Sequence, residues 1–321
     1  MTAKPFPILF IAPMDPANAV AASGLLKRLA GEIPGARFTI VASRAAAPLF
    51  VEVPSLAKLI VVKSFGALGL WTKVRGRRWG LVLDAQGTGV SRFLSRAKRA
   101  EWKAPATPEN RVITAARLLD LADDPPPPSL FTSQTTEERA DEALMGEGPI
   151  LGVAPGAGWV GRIWPSERFG QVAAKLLFNG GPLVGGRIVA FGGESDREAM
   201  LTAKFPMPRN RIILRPYDQD PLTDYAWMKR MRLFIGGDNI WTQLAAAAGA
   251  PTLALFGPSN EAIDAPYGPH TRTIRGPREY SDYAALDRNF DQQMSHMTDL
   301  SADTVLKAAK TLLVATERKL G

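Results

Sequence analysis

The 321-residue sequence has no cysteine and only two histidines, His270 and His296. Disulfides and thiolate zinc centres are therefore excluded, and a reducing compartment is permitted. Two histidines in separate contexts argue against a histidine-based metal cluster and against a Ser-His-Asp hydrolase. Long apolar runs are missing too. The quietest stretch, Leu244 to Gly257, is interrupted by Gly249 and Pro251 and falls short of the ~20 residues of a spanning helix. Ile8 to Ile11 is too short for the core of a secretion signal, and Pro13 and Asp15 follow at once. The expectation is a chain that neither crosses a membrane nor is secreted by that route.

Acidic residues are scarce in one region. Lys58 to Arg117 holds thirteen Lys/Arg against three Asp/Glu, more than the whole chain's formal charge of +8. A single short basic run is most often a solvated face. A segment of this size predicts a polyanionic partner: nucleic acid, an acidic membrane surface or a phosphorylated substrate. The interleaved aromatics of a nucleic-acid stacking platform are not there, so no nucleic acid is expected.

What is present is an ordinary globular balance, 46% apolar and 22% charged, in a chain long enough for two domains. Ile8 to Ile11, Phe38 to Val41, Leu59 to Val62 and Leu81 to Leu83 read as short buried strands. Val20, Leu25, Leu26 and Leu29 between them fit a helix stripe. Strands alternating with helices predict parallel βαβ units with right-handed crossovers. Asp123 to Pro128, with four successive prolines, predicts a stiff exposed connector, and Thr135 to Leu144 a helix beyond it. The turn Gly146-Glu147-Gly148-Pro149 precedes a new strand, giving domains of 1–147 and 148–321. The second half repeats the pattern, with strands at Ile150 to Ala154, Arg187 to Phe191, Ile212 to Leu214, Leu233 to Ile235 and Thr252 to Phe256. Phe169, Val172, Ala173, Leu176 and Leu177 form one helical face between Pro165 and Gly180-Gly181. The predicted class is α/β, two Rossmann-like halves facing one another.

Ligands of such sheets bind at the carboxyl ends of strands. Four loops of the second half are expected to converge there: Pro155 to Trp164, Gly192 to Glu198, Gly236 to Gln243 and Gly257 to Asn260. Their glycines let backbone approach a ligand, and helix amino ends offer N–H groups to phosphate. Any one glycine pair is explained equally well as a tight turn. Gly156-Ala157-Gly158-Trp159-Val160-Gly161 matches the dinucleotide pattern literally. However, Trp164-Pro165 delays the helix past the third glycine, and the next strand ends in Gly192-Gly193 rather than an acid. The stretch reads as a phosphate loop of a different kind, and NAD is not expected.

Pro155-Gly156-Ala157-Gly158-Trp159, Arg162-x-Trp164-Pro165-x-x-Arg168-Phe169, Phe191-Gly192-Gly193-Glu194, and Gly237-Asp238 through Leu244 to Pro251 to Phe256-Gly257-Pro258-Ser259 resemble glycosyltransferase family 9. These are the ADP-heptose:lipopolysaccharide heptosyltransferases. Asn18-Ala19-Val20 with Leu25-Leu26, and Leu83-Asp84-x-Gln86-Gly87, resemble the family's first loop and fourth strand end. The resemblance implies a GT-B architecture, two Rossmann-like domains across a cleft, with acceptor on 1–147 and nucleotide sugar on 148–321. It implies metal-free, inverting transfer from an ADP- or UDP-linked sugar, with no cofactor. The acceptor would be a lipid A–core or related acidic glycan at the cytoplasmic face of the inner membrane, with peripheral contact to anionic lipid.

By that resemblance the donor is held by Gly156, Gly158, Arg162, Glu194, Asp238, Asn239, Trp241, Thr242 and Gln243, and the acidic acceptor meets Lys73, Arg75 and Arg92. Arg162 stands where the family has a phosphate-contacting lysine, and Glu194 suits ribose hydroxyls. Two loops depart from the family pattern. Its catalytic first-loop Asp falls on Asn18, and an amide cannot take a proton at neutral pH, which leaves Asp15 as the base if the loop is shifted. Its Asp-Ser-Gly-x-x-His becomes Asp238-Asn239-Ile240-Trp241-Thr242-Gln243. Trp241 either stacks on a base or sugar or simply packs. A second reading follows from these departures: a catalytically degenerate member that binds a nucleotide or a protein partner.

Overall fold

Short apolar runs bounded by glycine, proline and charge become parallel strands throughout. The computed structural model describes residues 4–64, 66–178, 180–205, 207–287, 289 and 293–317. The chain divides into an N-terminal unit, residues 1–137 with 220–222, and a C-terminal unit, residues 138–219 with 223–321.

In the N-terminal unit the strands are β1 (Phe6–Ile11), β2 (Ala36–Ser43), β3 (Leu56–Val62), β4 (Trp79–Asp84) and β5 (Arg96–Glu101), in the order β3-β2-β1-β4-β5 and all parallel. Ile11, Val41, Val62, Trp79 and Val82 lie in its core. The predicted helix stripe is buried, but it is shared by α1 (Pro16–Ala21) and α2 (Ser23–Glu32). The start of α2 is packed closely against a distant segment. A Cβ at Gly24 would collide with the carbonyls of Pro126 and Pro127, and Ser129 N donates to Ser23 Oγ at 2.9 Å. The proline run is thus a strap laid over α2, partly covered rather than exposed as its composition predicts. α3 (Ala67–Val74) and α4 (Arg111–Ala116) complete the part used below. β5, Arg-Ala-Lys-Arg-Ala-Glu, carries no apolar run and gave no strand signal. It is an edge strand, where charge discourages pairing with another chain.

In the C-terminal unit, β6 (Ile150–Ala154), β7 (Arg187–Ala190), β8 (Ile212–Leu214), β9 (Leu233–Gly237), β10 (Thr252–Phe256) and β11 (Thr271–Arg275) form a parallel sheet ordered β11-β10-β9-β6-β7-β8. α5 (Gln134–Ala143), in which the unit boundary falls, leads to α6 (Ser166–Leu177), α7 (Arg197–Thr202), α8 (Pro221–Met228), α9 (Ile240–Ala247), α10 (Glu261–Asp264), α11 (Tyr280–Leu286) and α12 (Ala302–Ala315). All five predicted core positions of α6 are buried, each worth roughly 1.5–3 kcal/mol for the larger side chains. They pack with Val305, Ala309 and Leu312 of α12. Among the described residues, no helix is long and apolar enough to cross a membrane.

Both sheets reverse their strand order once, between β1 and β4 and between β6 and β9. Open parallel sheets bind ligands outside the carboxyl ends of strands at such a reversal. That rule selects the loops after these four strands.

Candidate active site

In the C-terminal unit, the loop after β6 runs from Pro155 to Trp159, turns at Val160–Arg162 and enters α6 through Trp164-Pro165. The loop after β9 is only Asp238-Asn239 before α9 starts. Side chains tie these loops together. Arg162 Nη1 donates to Asp238 Oδ2 at 2.9 Å, and Ser259 Oγ donates to the same oxygen at 2.6 Å. Asn239 Nδ2 donates to the Gly156 carbonyl at 2.7 Å. A Cβ at Gly156 would collide with the Asp196 carboxylate, which itself accepts from Gly193 N at 3.0 Å. The four loops expected to converge therefore do meet: 155–164, 192–198, 236–243 and 257–260. Gly158 has φ +70 with open space around it, so its glycine serves conformation rather than close approach.

The residues of this cluster divide by what they are free to do. Asn239 caps α9, accepting from Thr242 N at 3.0 Å, while buried Thr242 donates to the Gly237 carbonyl at 2.7 Å. Gln243 Nε2 donates to the Asp264 carbonyl at 2.7 Å, joining α9 to α10. These three shape the loop. Trp241 is half-buried, with the Arg215 guanidinium 4.6 Å from its ring centre and Phe191 6.3 Å away. Arg215 is held in turn by buried Asp224, at 2.8 and 2.9 Å. Glu194 is exposed, on a recess of about 600 Å³ shared with Arg197 and Lys204.

Arg162 retains capacity. Its Nε is buried with no hydrogen-bond partner among the described residues. A buried donor left unpaired costs about 1–3 kcal/mol, so a ligand acceptor at this point would be favoured. The N–H groups of Ile240 and Trp241, in the first turn of α9, have no intrahelical acceptor. A guanidinium and two backbone donors on a glycine-lined floor suit an anionic group.

His296, read from sequence only as an isolated histidine, supports this floor from behind. Its backbone N donates to the Gly161 carbonyl at 3.1 Å, its Nε2 lies 3.0 Å from Asp287 Oδ2, and its ring is 5.8 Å from that of Trp159. Asp196 and Ser259 were also missed as individual residues. Only their loops carried a signal.

At the other reversal, Asp15 is exposed and is the N-cap of α1, with Oδ1 accepting from Asn18 N at 3.0 Å. Pro16 supplies a preset φ for the first turn. Asn18 is half-buried on that turn. Met14 N donates to Gln86 Oε1 at 2.6 Å, and Ser43 Oγ donates to the Met14 carbonyl at 2.7 Å. The β4 turn is organised by Asp84, which is fully buried and accepts from Thr88 N (3.1 Å), Thr88 Oγ1 (2.7 Å) and Gly89 N (3.0 Å). Burial pushes its carboxyl above the usual range, and those three donors only partly offset the shift.

The predicted acceptor cations do not gather at that point. Lys73 and Arg75 end α3 and lead into the start of β4, a strand length of about 17 Å from its carboxyl end. Arg92 lies nearer, gripping Glu101 through Nε at 3.1 Å and Nη2 at 2.9 Å. Among the described residues, no group of three or more His, Asp or Glu is arranged to hold a metal ion.

Two parallel-sheet α/β units, with a glycine-lined strand-end cluster built around Arg162 and Asp238 in the second, define the class of the protein by its fold. The family model for glycosyltransferase family 9 (heptosyltransferase) matches residues 70–289, and the chain belongs to that family. A lipopolysaccharide heptosyltransferase 1 of Pseudomonas aeruginosa is 26% identical over 74% of each chain. Of the solved structures it resembles, a family 9 glycosyl transferase of Veillonella parvula shares 19% identity, covering 98% of this chain and 99% of that one, with TM-score 0.77. A heptosyltransferase of E. coli, solved with ADP, shares 15% identity over 96% and 100% of the two chains, with TM-score 0.70. The shared fold is GT-B.

Proposed function

We propose that the chain transfers a heptose-like sugar from an ADP- or UDP-linked donor to an acidic lipopolysaccharide-core or related surface-glycan acceptor. Transfer is a single displacement with inversion and without a metal. The acceptor hydroxyl attacks the anomeric carbon and gives its proton to the free oxygen of Asp15. The sugar–diphosphate bond breaks on the opposite face, and Arg162 with the α9 amides takes up the released charge. Asn18 orients the acceptor beside Asp15. Glu194 accepts from the ribose hydroxyls, Gly156 and Gly158 set the path of the loop beneath the diphosphate, and Asp238, Asn239, Trp241, Thr242 and Gln243 wall the donor site.

In this reading residues 1–147 bind the acceptor and 148–321 the donor, so the two halves must be brought together around the anomeric carbon. Lys73, Arg75 and Arg92 meet acidic groups of the acceptor. The place of Lys73 and Arg75 at the far end of β4 favours its lipid-anchored phosphates over its reacting hydroxyl. The protein would work at the cytoplasmic face of the membrane that holds the acceptor.

The observation that carries the reading is the buried, unpartnered Nε of Arg162 within the cluster of Asp238, Ser259 and Gly156. The E. coli heptosyltransferase of the same fold, solved with ADP, supports adenine as the donor base. A direct test is transfer from ADP-heptose to heptose-deficient lipopolysaccharide, followed by mass spectrometry. A mass gain of one heptose, absent in Asp15→Ala and Arg162→Ala, is expected. Transfer undiminished in Asp15→Ala would remove that residue from the role of base.

A second reading draws on the capping bond of Asp15 and the amide at position 18: a nucleotide binder without transferase activity. Binding of ADP with no product from any ADP- or UDP-sugar would decide in its favour.

A further inference from the structure

We propose that the face formed by α3 and the turn Val90–Phe93 docks on an anionic lipid bilayer. Leu68 and Phe93 are 77% and 73% exposed. They belong to one patch. Trp71 follows Leu68 by three positions on α3, and its Nε1 donates to the Phe93 carbonyl at 3.2 Å. Leu70 and Val74, on the other side of the helix, fill the core. Trp71 is half-buried and packs against that core, which leaves Leu68 and Phe93 as apolar side chains that project from it.

Charge identifies the occupant. Arg75, Arg77 and Arg78 are exposed beside Trp71 and Phe93, with Lys73 exposed on the same helix, and the Arg75 guanidinium lies 4.5 Å from the Trp71 ring centre. From Lys63 to Arg99 the single acid is Asp84, which is fully buried, so no surface carboxylate offsets these cations. A recess of about 340 Å³ opens between Trp71, Arg75, Arg78 and Phe93. Apolar tips, an indole and a ring of Lys/Arg match the layers of a bilayer surface in turn. Leu68 and Phe93 enter the acyl boundary, Trp71 sits at headgroup level, and the cations meet lipid phosphates. The inference deepens the reading of a lipid-anchored acceptor and supplies the means by which the enzyme reaches it.

The test is co-sedimentation of the full chain with vesicles that contain no acceptor glycolipid. The chain should pellet with phosphatidylglycerol/phosphatidylcholine vesicles and remain in solution with phosphatidylcholine alone. Leu68→Ser with Phe93→Ser should weaken pelleting about tenfold, and Arg77→Glu with Arg78→Glu about a hundredfold at low salt. Both double variants should keep parental transfer to a deacylated, water-soluble acceptor, which also reports that they are folded. Pelleting unaffected by either pair, or no pelleting at all, overturns the docking face. Transfer to the soluble acceptor would survive that failure, so loss of docking and loss of the transferase reading are distinguishable. If light scattering shows instead a dimer that Leu68→Ser with Phe93→Ser disperses, the patch is a self-association surface and the proposal falls.

Discussion

At the reversal point of the C-terminal sheet, side chains from neighbouring loops bond to one another: Arg162 to Asp238, Ser259 to Asp238 and Asn239 to the Gly156 carbonyl. At that of the N-terminal sheet the contacts mostly run from side chain to backbone, as in Gln86 with Met14 N, Ser43 with the Met14 carbonyl and Asp84 with its own turn. The first arrangement presents a preset floor in which Arg162 is held by Asp238. The second fixes a loop's path and leaves the exposed Asp15 as its chemical group. A donor diphosphate needs a preorganised field, whereas a proton acceptor needs only reach and the right protonation state. The difference between the two strand-end clusters follows from those separate demands.

Substitutions can break this comparison in order of expected effect. Asp15→Ala should lower kcat by about 10²–10⁴-fold while ADP affinity stays parental, measured by product formation and calorimetry side by side. Arg162→Ala should lower kcat by about 10²–10³-fold and weaken ADP as well, because its donors face the diphosphate. Equal effects of the two changes on ADP binding would erase the proposed division of labour.

Asp84→Ala acts on structure instead. It strands the Thr88 hydroxyl and two backbone N–H groups, and should lower unfolding stability by about 1–3 kcal/mol in urea titration. The same residue makes a pH prediction. Its folded pKa is raised, so the native state binds the proton more tightly than the unfolded chain does. Its stabilising contribution is complete below the ordinary carboxylate pKa and is lost as pH rises through the raised one. The stability of the parent relative to Asp84→Asn should therefore fall as pH rises above about 4. Ser259→Ala removes one of two donors to Asp238 and should reduce kcat by only a few-fold, with Arg162 still in place.

Much of the fold was legible because buried parallel strands announce themselves as apolar runs: β1, β4, β6, β9 and β10 all fall where those runs lie. β5 was not legible. An edge strand paired on one side can be almost wholly charged, and Arg96 to Glu101 looks like a solvated segment. The packing of α2 was equally hidden, since the distant Pro126-Pro127 backbone lies where a Cβ at Gly24 would be. For the site, glycines after the strands marked the converging loops. Which residues are spent on each other could not be read, because Asn239 and Thr242 look identical in sequence whether they cap a helix or hold a ligand. The family resemblance pointed to Arg162, and only its three-dimensional neighbours reveal an Nε with no partner among the described residues.

Calorimetric titration of ADP into the parent, Arg162→Ala and Asp15→Ala proteins tests the donor floor most directly. One ADP per chain, bound at least tenfold more weakly by Arg162→Ala and unchanged in Asp15→Ala, is the predicted result. Absence of ADP binding to the parent, or equal binding by all three, would contradict it.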